Sequence, residues 1–340
     1  MNIFDLPKKE LENYFKTFND KPFRATQIYE WLYQKKCFSF AEMSNLKKDL
    51  IDKLCSIFEI ELLNLVTMQK SKDGTIKFLF KLNDGNLIET VLMQHDYGKS
   101  ICVTTQVGCN MGCAFCASGL NKKIRNLETY EIVSQIMTVE SLINEKVTHV
   151  VVMGIGEPFD NYENVMRFVR IINDPKGLAI GARHITISTS GLVPRIYDYA
   201  NEGIQTNLAI SLHAPNDEIR SQIMRINRKY SIKEVIKAMD DYIAQTNRRV
   251  TIEYILLDKV NDMPACAYEL AELLYKKNVY VNLIPYNEVS EMPFKRSTKE
   301  AMNQFYDILK KRGTNVTLRR EQGHDIDAAC GQLRSKNIKK

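Results

Sequence analysis

The sequence lacks the features that mark several classes of protein. It has no apolar run near the roughly 18 residues needed to cross a bilayer, and residues 1–10 form no hydrophobic signal segment. Its eight cysteines among 340 residues are too few for a disulfide scaffold, and it has no internal repeat or low-complexity segment. We therefore expect a cytoplasmic protein without a membrane segment, whose cysteines are packed, metal-bound or catalytic.

The composition that is present is typical of a folded protein. Apolar residues make up 44% and charged residues 26%, proportions that argue against a disordered or collagen-like chain. At roughly 150 residues per domain, 340 residues allow about two domains, or one large domain with an appendage. The net charge of +6 permits an anionic partner but does not require one.

The first hundred residues divide into two patterns. Residues 1–58 carry helical periodicity, with helices predicted over 8–18, 24–36 and 45–57, which indicates a small helical module. Residues 59–99 contain alternating apolar and polar positions, and the pairs Asp73-Gly74 and Asp84-Gly85 predict tight turns. A meander of antiparallel strands should therefore link the module to the rest of the chain.

From residue 100 to about residue 320, strand and helix patterns alternate. Amphipathic helices are predicted over 128–145 and 232–245, between apolar strands. The predicted strands are 101–105, 147–153, 184–189, 206–212, 249–257, 279–284 and 315–319. This alternation predicts βα units around a parallel sheet, and periodicity alone does not choose between an open sheet, a partial barrel and a complete barrel.

Three thiols follow the first of these strands, at Cys109, Cys113 and Cys116. Their spacing on a loop lets the three sulfur atoms converge on one centre. A structural zinc site would need a fourth ligand, typically in a second close pair, and the only histidine nearby in the sequence is His95. An iron–sulfur cluster held by three thiolates instead leaves one iron open to another ligand.

The pattern Cys-x-x-x-Cys-x-x-Cys resembles the signature of radical S-adenosylmethionine (SAM) enzymes. The resemblance implies a [4Fe-4S] cluster whose open iron binds the amino and carboxylate groups of SAM. An electron from the cluster then cleaves SAM to a 5′-deoxyadenosyl radical. The motif implies how a radical is made, but not what the radical attacks.

Polar residues at the ends of the following strands are the candidates for binding SAM. Gly156 and Glu157 lie in a glycine-rich turn, where the carboxylate could accept a hydrogen bond from the SAM ammonium group. In parallel barrels the carboxyl ends of the strands carry the site. The other candidates at such ends are Ser188, Ser211, Leu212, His213 and Asn287.

Five cysteines lie outside the triplet. Cys37, Cys55 and Cys266 fall in helical patterns and are predicted to be small buried side chains. Cys330 differs, because it lies in a segment of small residues after the last strand, where a loop could fold back over the barrel mouth. Cys102 lies shortly before the triplet, near the same mouth.

Three longer segments, 211–220, 281–287 and 325–333, carry a more specific resemblance. Together they resemble the radical-SAM RNA methyltransferases that methylate C2 of adenine in large-subunit (23S) ribosomal RNA and in transfer RNA, and the similarity covers nearly the whole chain. It implies an α/β fold with a partial (βα)6-type TIM barrel at 100–320. The remaining parts would be a helical accessory domain at 1–58, a β-meander linker at 59–99, and a catalytic-cysteine loop with a basic tail at 321–340.

In that family the methyl group reaches the base through a cysteine. Carried onto this sequence, Cys330 takes a methyl group from one SAM, and the radical from a second SAM removes a hydrogen from it. The resulting carbon radical adds to adenine and forms a covalent protein–RNA adduct. Glu89 matches the base that removes the ring proton. Cys102 then attacks the sulfur of Cys330 and leaves a Cys102–Cys330 disulfide, which an external reductant must reopen.

The resemblance also implies the partners. Basic residues cluster at 122–125, 225–229, 248–249, 310–312 and 319–320, and they would neutralise RNA phosphates if they surround the barrel mouth. The target base would then enter the site by flipping. The accessory domain would bind RNA, a flavodoxin- or ferredoxin-like protein would donate low-potential electrons, and the enzyme would act as a monomer.

Three alternatives stay open at this point. A sister group with the same thiols methylates C8 of the same ribosomal adenine and causes antibiotic resistance, although segments 214–220 and 250–254 look closer to the C2 enzymes. A non-enzymatic iron–sulfur or zinc RNA-binding protein would use the thiols structurally. A radical-SAM enzyme acting on a protein or small molecule would need neither the basic mouth nor the paired thiols.

Overall fold

The framework of the protein is a mixed β-sheet. The computed structural model describes residues 1–17, 19–120, 122–320, 322–323, 325–327 and 331–338. The strands in these residues are β1 (Asn64–Lys70), β2 (Ile76–Lys81), β3 (Leu87–His95), β4 (Gly98–Cys102), β5 (Gln106–Val107), β6 (Arg125–Asn126), β7 (His149–Val152), β8 (Ile185–Thr189), β9 (Asn207–Ser211), β10 (Val250–Leu256), β11 (Val279–Pro285) and β12 (Val316–Leu318). All the predicted strands beyond residue 100 are therefore confirmed, with ends that differ by a few residues.

Ten of these strands form one sheet, in the order β1-β2-β3-β4-β7-β8-β9-β10-β11-β12. Strands β4 and β7 to β12 are parallel neighbours, as expected for consecutive right-handed βα units. Strands β1 to β3 continue the sheet in antiparallel fashion from β4. Strands β5 and β6 pair separately. The predicted meander and the predicted parallel sheet thus join into a single sheet.

Helices connect the parallel strands and cover the sheet. The helices of the described residues are α1 (Lys8–Thr17), α2 (Phe23–Tyr29), α3 (Lys48–Ile57), α4 (Thr129–Ile143), α5 (Tyr162–Asn173), α6 (Val193–Ala200), α7 (Asp217–Ile223), α8 (Ile232–Thr246), α9 (Pro264–Leu273), α10 (Lys299–Lys311) and α11 (Gln332–Ile338). Helix α8 shows why they begin and end where they do. Ser231 and Glu234 form a capping box at its start, and Asn247 adopts a left-handed conformation at its end.

The sheet curves without closing into a barrel. Among the described strands, β1 and β12 are its two edges. Arg319, just after β12, reaches across to β3, where its Nη2 lies 3.6 Å from the Sδ atom of Met93. The α/β class and the partial barrel are therefore confirmed, and a complete barrel is not formed.

The N-terminal helices pack along α4 and α5. Lys36 pairs with the nearly buried carboxylate of Glu140 at 3.2 Å, and Asp5 accepts a hydrogen bond from the backbone N–H of Tyr130 at 2.8 Å. One hydrophobic core runs from Phe4 and its neighbours into the barrel.

The predicted helix over 24–36 is shorter than expected, because α2 gives way to a π-helical turn at Glu30–Gln34.

The predicted turns and the predicted burial of the isolated cysteines can both be compared with the structure. Gly74 and Gly85 have φ values of +88° and +86°, so both predicted tight turns are confirmed. Cys37 and Cys266 are buried as predicted, but the prediction for Cys55 is wrong: its thiol is exposed, because α3 uses Leu50 and Leu54 for its buried face. Within the described part of the chain, no helix has the length and apolar character needed to span a membrane.

Candidate active site

A cavity of about 370 Å³ opens at the carboxyl ends of the parallel strands. Those ends meet at one edge of the sheet, so residues far apart in the sequence come together there. The predicted site residues that line the cavity are Cys102, Cys109, Cys113, Cys116, Gly156, Glu157, Ser188, Ser211, His213 and Asn287.

The three thiols of the triplet lie on a loop between β5 and a short 3-10 helix, Ala117–Leu120. The loop turns sharply at Gly112, whose φ is +62°. It is anchored by the backbone N–H of Ala114, which donates to the carbonyl of Ile223 at 2.8 Å, and by the ring of Phe115, which packs edge-on against His213. The loop therefore presents all three thiols to one wall of the cavity.

Burial disfavours the thiolate forms of Cys109 and Cys113. It raises the pKa of Cys109 to about 12 and that of Cys113 well above its ordinary value, and the neighbouring thiols raise both further. Without a cation these two thiols therefore stay protonated at neutral pH. A bound metal centre would replace those protons and favour the thiolates.

A [4Fe-4S] cluster fits this donor set. No group of three or more histidine, cysteine, aspartate or glutamate side chains among the described residues is arranged to hold a single ion. A cubic cluster has a different requirement, because each thiolate binds a different iron atom and the fourth iron needs no cysteine. Cys109, Cys113 and Cys116 supply three half-buried thiols to one cavity, which matches that requirement.

The glycine-rich turn after β7 is packed tightly against the chain before the triplet. A Cβ atom on Gly154 would lie 2.6 Å from the carbonyl oxygen of Val103, and one on Gly156 would lie 2.7 Å from the Cβ of Gln106. Gly156 also has a φ of +111°. Both glycines line the cavity, so their small size serves internal packing as well as access for a ligand.

Glu157 is buried and already bonded on both carboxylate oxygens. It accepts hydrogen bonds from the backbone N–H of Ser190 at 2.7 Å and of Phe159 at 3.1 Å. Burial raises its pKa and these hydrogen bonds oppose that effect. The carboxylate thus ties the turn after β7 to the end of β8, and its predicted contact with the SAM ammonium group stays a prediction.

The predicted residues on β8 and β9 form the next part of the wall. The hydroxyl groups of Ser188 and Ser211 lie 3.4 Å apart. His213 has a left-handed φ of +58°, and its Nδ1 accepts the N–H of Ile255 at 3.1 Å. Burial lowers the pKa of His213 to about 3, so the imidazole is neutral. Leu212 differs, because its side chain lies in the hydrophobic core instead of the cavity lining.

A buried arginine holds these strand ends in place. Arg220 of α7 is fully buried and donates to the carbonyls of Ser190 at 2.7 Å and Leu212 at 3.1 Å. It also donates to the Oδ1 of Asn227 at 3.0 Å. A single guanidinium group therefore fixes the ends of β8 and β9, on which Ser188 and Ser211 lie.

Cys102 ends β4 and faces the cavity near two basic residues: Lys77, which the sequence analysis missed, and Arg319, which it named only as part of a basic cluster. Burial raises the pKa of its thiol to about 11, while the positive charges of Arg319 and Lys77 oppose the rise. Arg319 also lines the cavity. Lys77 carries a usable sequence signal, because it is the one charged residue in the interior of the apolar run 76–80.

Glu89 does not line the cavity but lies buried beside it on β3. Its Oε2 atom pairs with the Nζ of Lys77 at 2.9 Å and accepts the backbone N–H of Gly331 at 2.7 Å. Its Oε1 atom accepts the backbone N–H of Arg334 at 2.6 Å. Both oxygens are therefore held by the C-terminal part of the chain.

Cys330 itself lies outside the described residues, but the chain on either side of it is anchored. On one side, Asp327 donates its N–H to the Oε1 of Gln69 at 3.0 Å and accepts from Lys77 at its carbonyl. On the other, a Cβ on Gly331 would lie 2.9 Å from the backbone N of Ser118, two residues after the last cysteine of the triplet. Asp327 and Gly331, on either side of residues 328–330, thus connect the meander with the cysteine loop.

The basic clusters do not all surround the cavity. Arg319 and Arg320 line it, and Arg225 contacts the cysteine loop at Gly112. The clusters at 248–249 and 310–312 instead lie just before β10 and at the end of α10, at the opposite edge of the parallel strands. In the cluster at 122–125, Lys123 pairs with Asp160 and Arg125 with Glu131. The predicted ring of phosphate-binding cations is therefore only partly formed.

Comparisons with known proteins agree with this geometry. The model of the radical SAM superfamily matches residues 103–271, which include the cysteine triplet. The model described as the ribosomal RNA large subunit methyltransferase N-terminal domain matches residues 1–60. The two models thus match the barrel and the N-terminal helices separately.

Individual relatives match over the full chain. A protein of Enterococcus faecalis described as a probable dual-specificity RNA methyltransferase RlmN is 59% identical, with coverage of 100% of this chain and 97% of the relative. A protein of Streptococcus thermophilus with the same description is 58% identical, with coverage of 100% and 89%. The crystal structure of a radical SAM methyltransferase from Sphaerobacter thermophilus has a TM-score of 0.91 and 44% identity, and covers 98% of both chains.

Proposed function

Because the chain belongs to the RlmN family of radical SAM methyltransferases, we propose that it methylates C2 of adenine in large-subunit ribosomal RNA and in transfer RNA. Family membership makes the protein an enzyme that uses a [4Fe-4S] cluster and SAM, which sets aside the non-enzymatic alternative. The RNA substrates of this proposal place the reaction in the cytoplasm.

The observation that carries the proposal is the position of Gly331, the described residue that follows Cys330 in the sequence. Gly331 contacts both Glu89 and the stretch Ala117-Ser118 beside the cysteine triplet. A radical-SAM enzyme acting on a protein or small molecule would need no such segment. The arrangement supports a methyl carrier on this segment, between the cofactor side of the cavity and the base.

Cys109, Cys113 and Cys116 would hold the cluster, which when bound supplies the electron that cleaves SAM. Ser188, Ser211 and the neutral His213 would contact SAM within the cavity. Two SAM molecules are consumed per turnover, one as the methyl donor for Cys330 and one as the source of the radical.

Cys102 and Glu89 take the late steps of this proposal. Glu89 would accept the ring proton once the methylene-bridged adduct has formed, and a cluster held by the cysteine triplet would take back the unpaired electron of that adduct. The thiol of Cys102 is protonated at neutral pH, because burial raises its pKa to about 11, so it does not compete with Cys330 for the methyl group of SAM. It acts only when it attacks the Cys330 sulfur: the S–S bond forms, the bond between that sulfur and the methylene carbon breaks, and the thiol proton passes to the released carbon, which becomes the methyl group of the RNA. The resulting disulfide is reduced externally.

Two substitutions test this assignment. Cys330→Ala should abolish methyl transfer, because no carrier remains, whereas Cys102→Ala should trap a covalent protein–RNA adduct that migrates slowly on denaturing gels. Cys55→Ala is the matched control, because that thiol is exposed on α3, far in sequence from the site. Normal methylation by the Cys330→Ala enzyme would refute the proposal.

The position of the methyl group needs a separate measurement. Nucleosides from RNA treated with the anaerobically reconstituted enzyme can be separated by liquid chromatography and identified by mass spectrometry. We expect 2-methyladenosine from both ribosomal and transfer RNA. Finding 8-methyladenosine instead would assign the chain to the C8 reaction.

A further inference from the structure

Lys77 is one of the fully buried charged residues in the described part of the chain. Its side chain is 0% exposed, although lysine is almost never fully buried unless it has a partner. It lies on β2 with Phe78 and Phe80 as buried neighbours. The contacts of its ammonium group must therefore explain why this charged side chain is buried.

Its partners come from two distant parts of the chain. The Nζ atom lies 2.9 Å from the Oε2 of Glu89 and donates to the carbonyl oxygen of Asp327 at 2.5 Å. Glu89 in turn accepts the N–H groups of Gly331 and Arg334. The Lys77–Glu89 pair therefore binds the C-terminal segment on both sides of residues 328–330.

The sheet register also brings Lys77 close to Cys102. Lys77 lies opposite Val91 on β3, and Val91 lies opposite Cys102 on β4, so the three residues form one row across three strands. Strands are about 4.8 Å apart, so the row spans about 10 Å. Val91 and Cys102 both line the cavity, which puts Lys77 on the same face of the sheet.

Stability does not account for this arrangement. Removing a lysine and a glutamate from water costs several kcal/mol, and replacing a buried ion pair by apolar residues is often neutral or stabilising. Buried charges with specific partners beside a cleft are instead typical of functional sites. The pair joins two groups of the proposed reaction, so a role in that reaction is the better explanation.

We propose that Lys77 is a positioning residue for methyl transfer: its ammonium group holds Asp327 and the Glu89 carboxylate, which in turn binds Gly331, and it supplies positive charge to the Cys102 thiol. The inference deepens the proposed function and rests on it. Since Lys77 is not among the residues that line the cavity, it acts through these neighbours and not on the substrate.

The test compares Lys77→Met, Lys77→Arg and the control Lys81→Met in the full-length, anaerobically reconstituted enzyme. Methionine has a similar shape but no charge, arginine keeps the charge, and Lys81 lies on the same strand with an exposed side chain. Lys77→Met should methylate RNA about 100-fold more slowly, the cost expected when reacting groups are misplaced by about 1 Å. Lys77→Arg should recover part of the rate, and Lys81→Met should keep all of it.

A second measurement separates positioning from mere folding. The rate at which iodoacetamide alkylates Cys102, followed by mass spectrometry of its peptide across pH, reports the ionisation of that thiol. Lys77→Met should shift this profile to higher pH, because a positive charge that favours the thiolate is gone. The double variant Lys77→Met with Glu89→Gln leaves no unpaired charge, and its melting temperature shows whether the fold survives.

The outcomes are distinct. A slower Lys77→Met enzyme with a shifted Cys102 profile, rescued in part by arginine, supports the proposal. A methylation rate within threefold of the parent, or an unchanged Cys102 profile in a folded variant, overturns it. If the parent enzyme forms no methyladenosine, the proposed function fails, whereas the Cys102 profile still tests Lys77.

Discussion

Replacing Gly331 by alanine should detach the C-terminal segment from the cysteine loop without unfolding the protein. The φ of Gly331 is +88°, a conformation that costs an alanine about 1–2 kcal/mol. The added Cβ would also lie 2.9 Å from the backbone N of Ser118 and 3.0 Å from the carbonyl carbon of Ala117. Overpacking of this kind costs about 1–3 kcal/mol, and backbone atoms cannot rotate away from it.

Together these terms amount to about 2–5 kcal/mol, which corresponds to about a 30- to 4,000-fold fall in the equilibrium constant for docking at 1.4 kcal/mol per factor of ten. The segment can relieve the cost by opening locally, so we expect the methylation rate to fall by that range while the melting temperature changes little. The assay is single-turnover methylation, with nucleosides quantified by mass spectrometry. Hydrogen exchange at the N–H groups of Gly331 and Arg334 should rise in parallel.

Gly313→Ala is the matched control. Gly313 has a similar φ of +82°, but a Cβ there would have nothing within 4 Å, so this variant carries the backbone cost without the steric contact. It should lose a little stability and keep its activity. Equal activity in the two variants would refute the reasoning that the contact with Ala117-Ser118 holds the segment in place.

Two further predictions concern stability. Burial raises the pKa of Asp5 from 3.8 to about 6, so the fold gains from the protonated carboxyl below about pH 4 and loses that contribution as the pH rises through 6. Urea denaturation should therefore show a loss of about 1–3 kcal/mol between pH 4 and pH 7 in the parent but not in Asp5→Asn, and parallel pH profiles would contradict this. Arg220→Lys should lower the free energy of unfolding by about 2–4 kcal/mol, because a lysine cannot reach the carbonyls of both Ser190 and Leu212. The exposed control Arg228→Lys should change it by less than about 0.5 kcal/mol, and an equal loss in both would show that the buried contacts of Arg220 contribute nothing.

Periodicity and turn residues were sufficient to predict most of the fold. The Asp-Gly pairs at Gly74 and Gly85 are local signals, and they correctly predict the meander. The closure of the sheet could not be predicted, because it depends on the summed twist and stagger of many strands. The π-helical turn after α2 was also missed, since its hydrogen bonds differ from those of an α-helix while the apolar spacing does not.

The candidate site was predictable where neighbouring residues in the sequence carry its chemistry. The cysteine triplet and the polar strand ends at Ser188 and Ser211 are of this kind. Lys77 was missed and Arg319 was expected only as part of a basic cluster, because only the folded sheet shows that both lie near Cys102. The side chain of Leu212 lies in the core between two cavity-lining neighbours, so its predicted contact with SAM stays a prediction.

The contacts between the meander and the C-terminal segment join residues 254 and 258 positions apart. Closing so long a loop costs more conformational entropy than forming a hairpin or a single βα unit, so such contacts form late in folding. The barrel can therefore be complete while the segment that carries the proposed methyl acceptor is still free. Assembly of the reaction centre is then the last event in the maturation of this enzyme, and a pool of folded but catalytically immature molecules should precede the active ones.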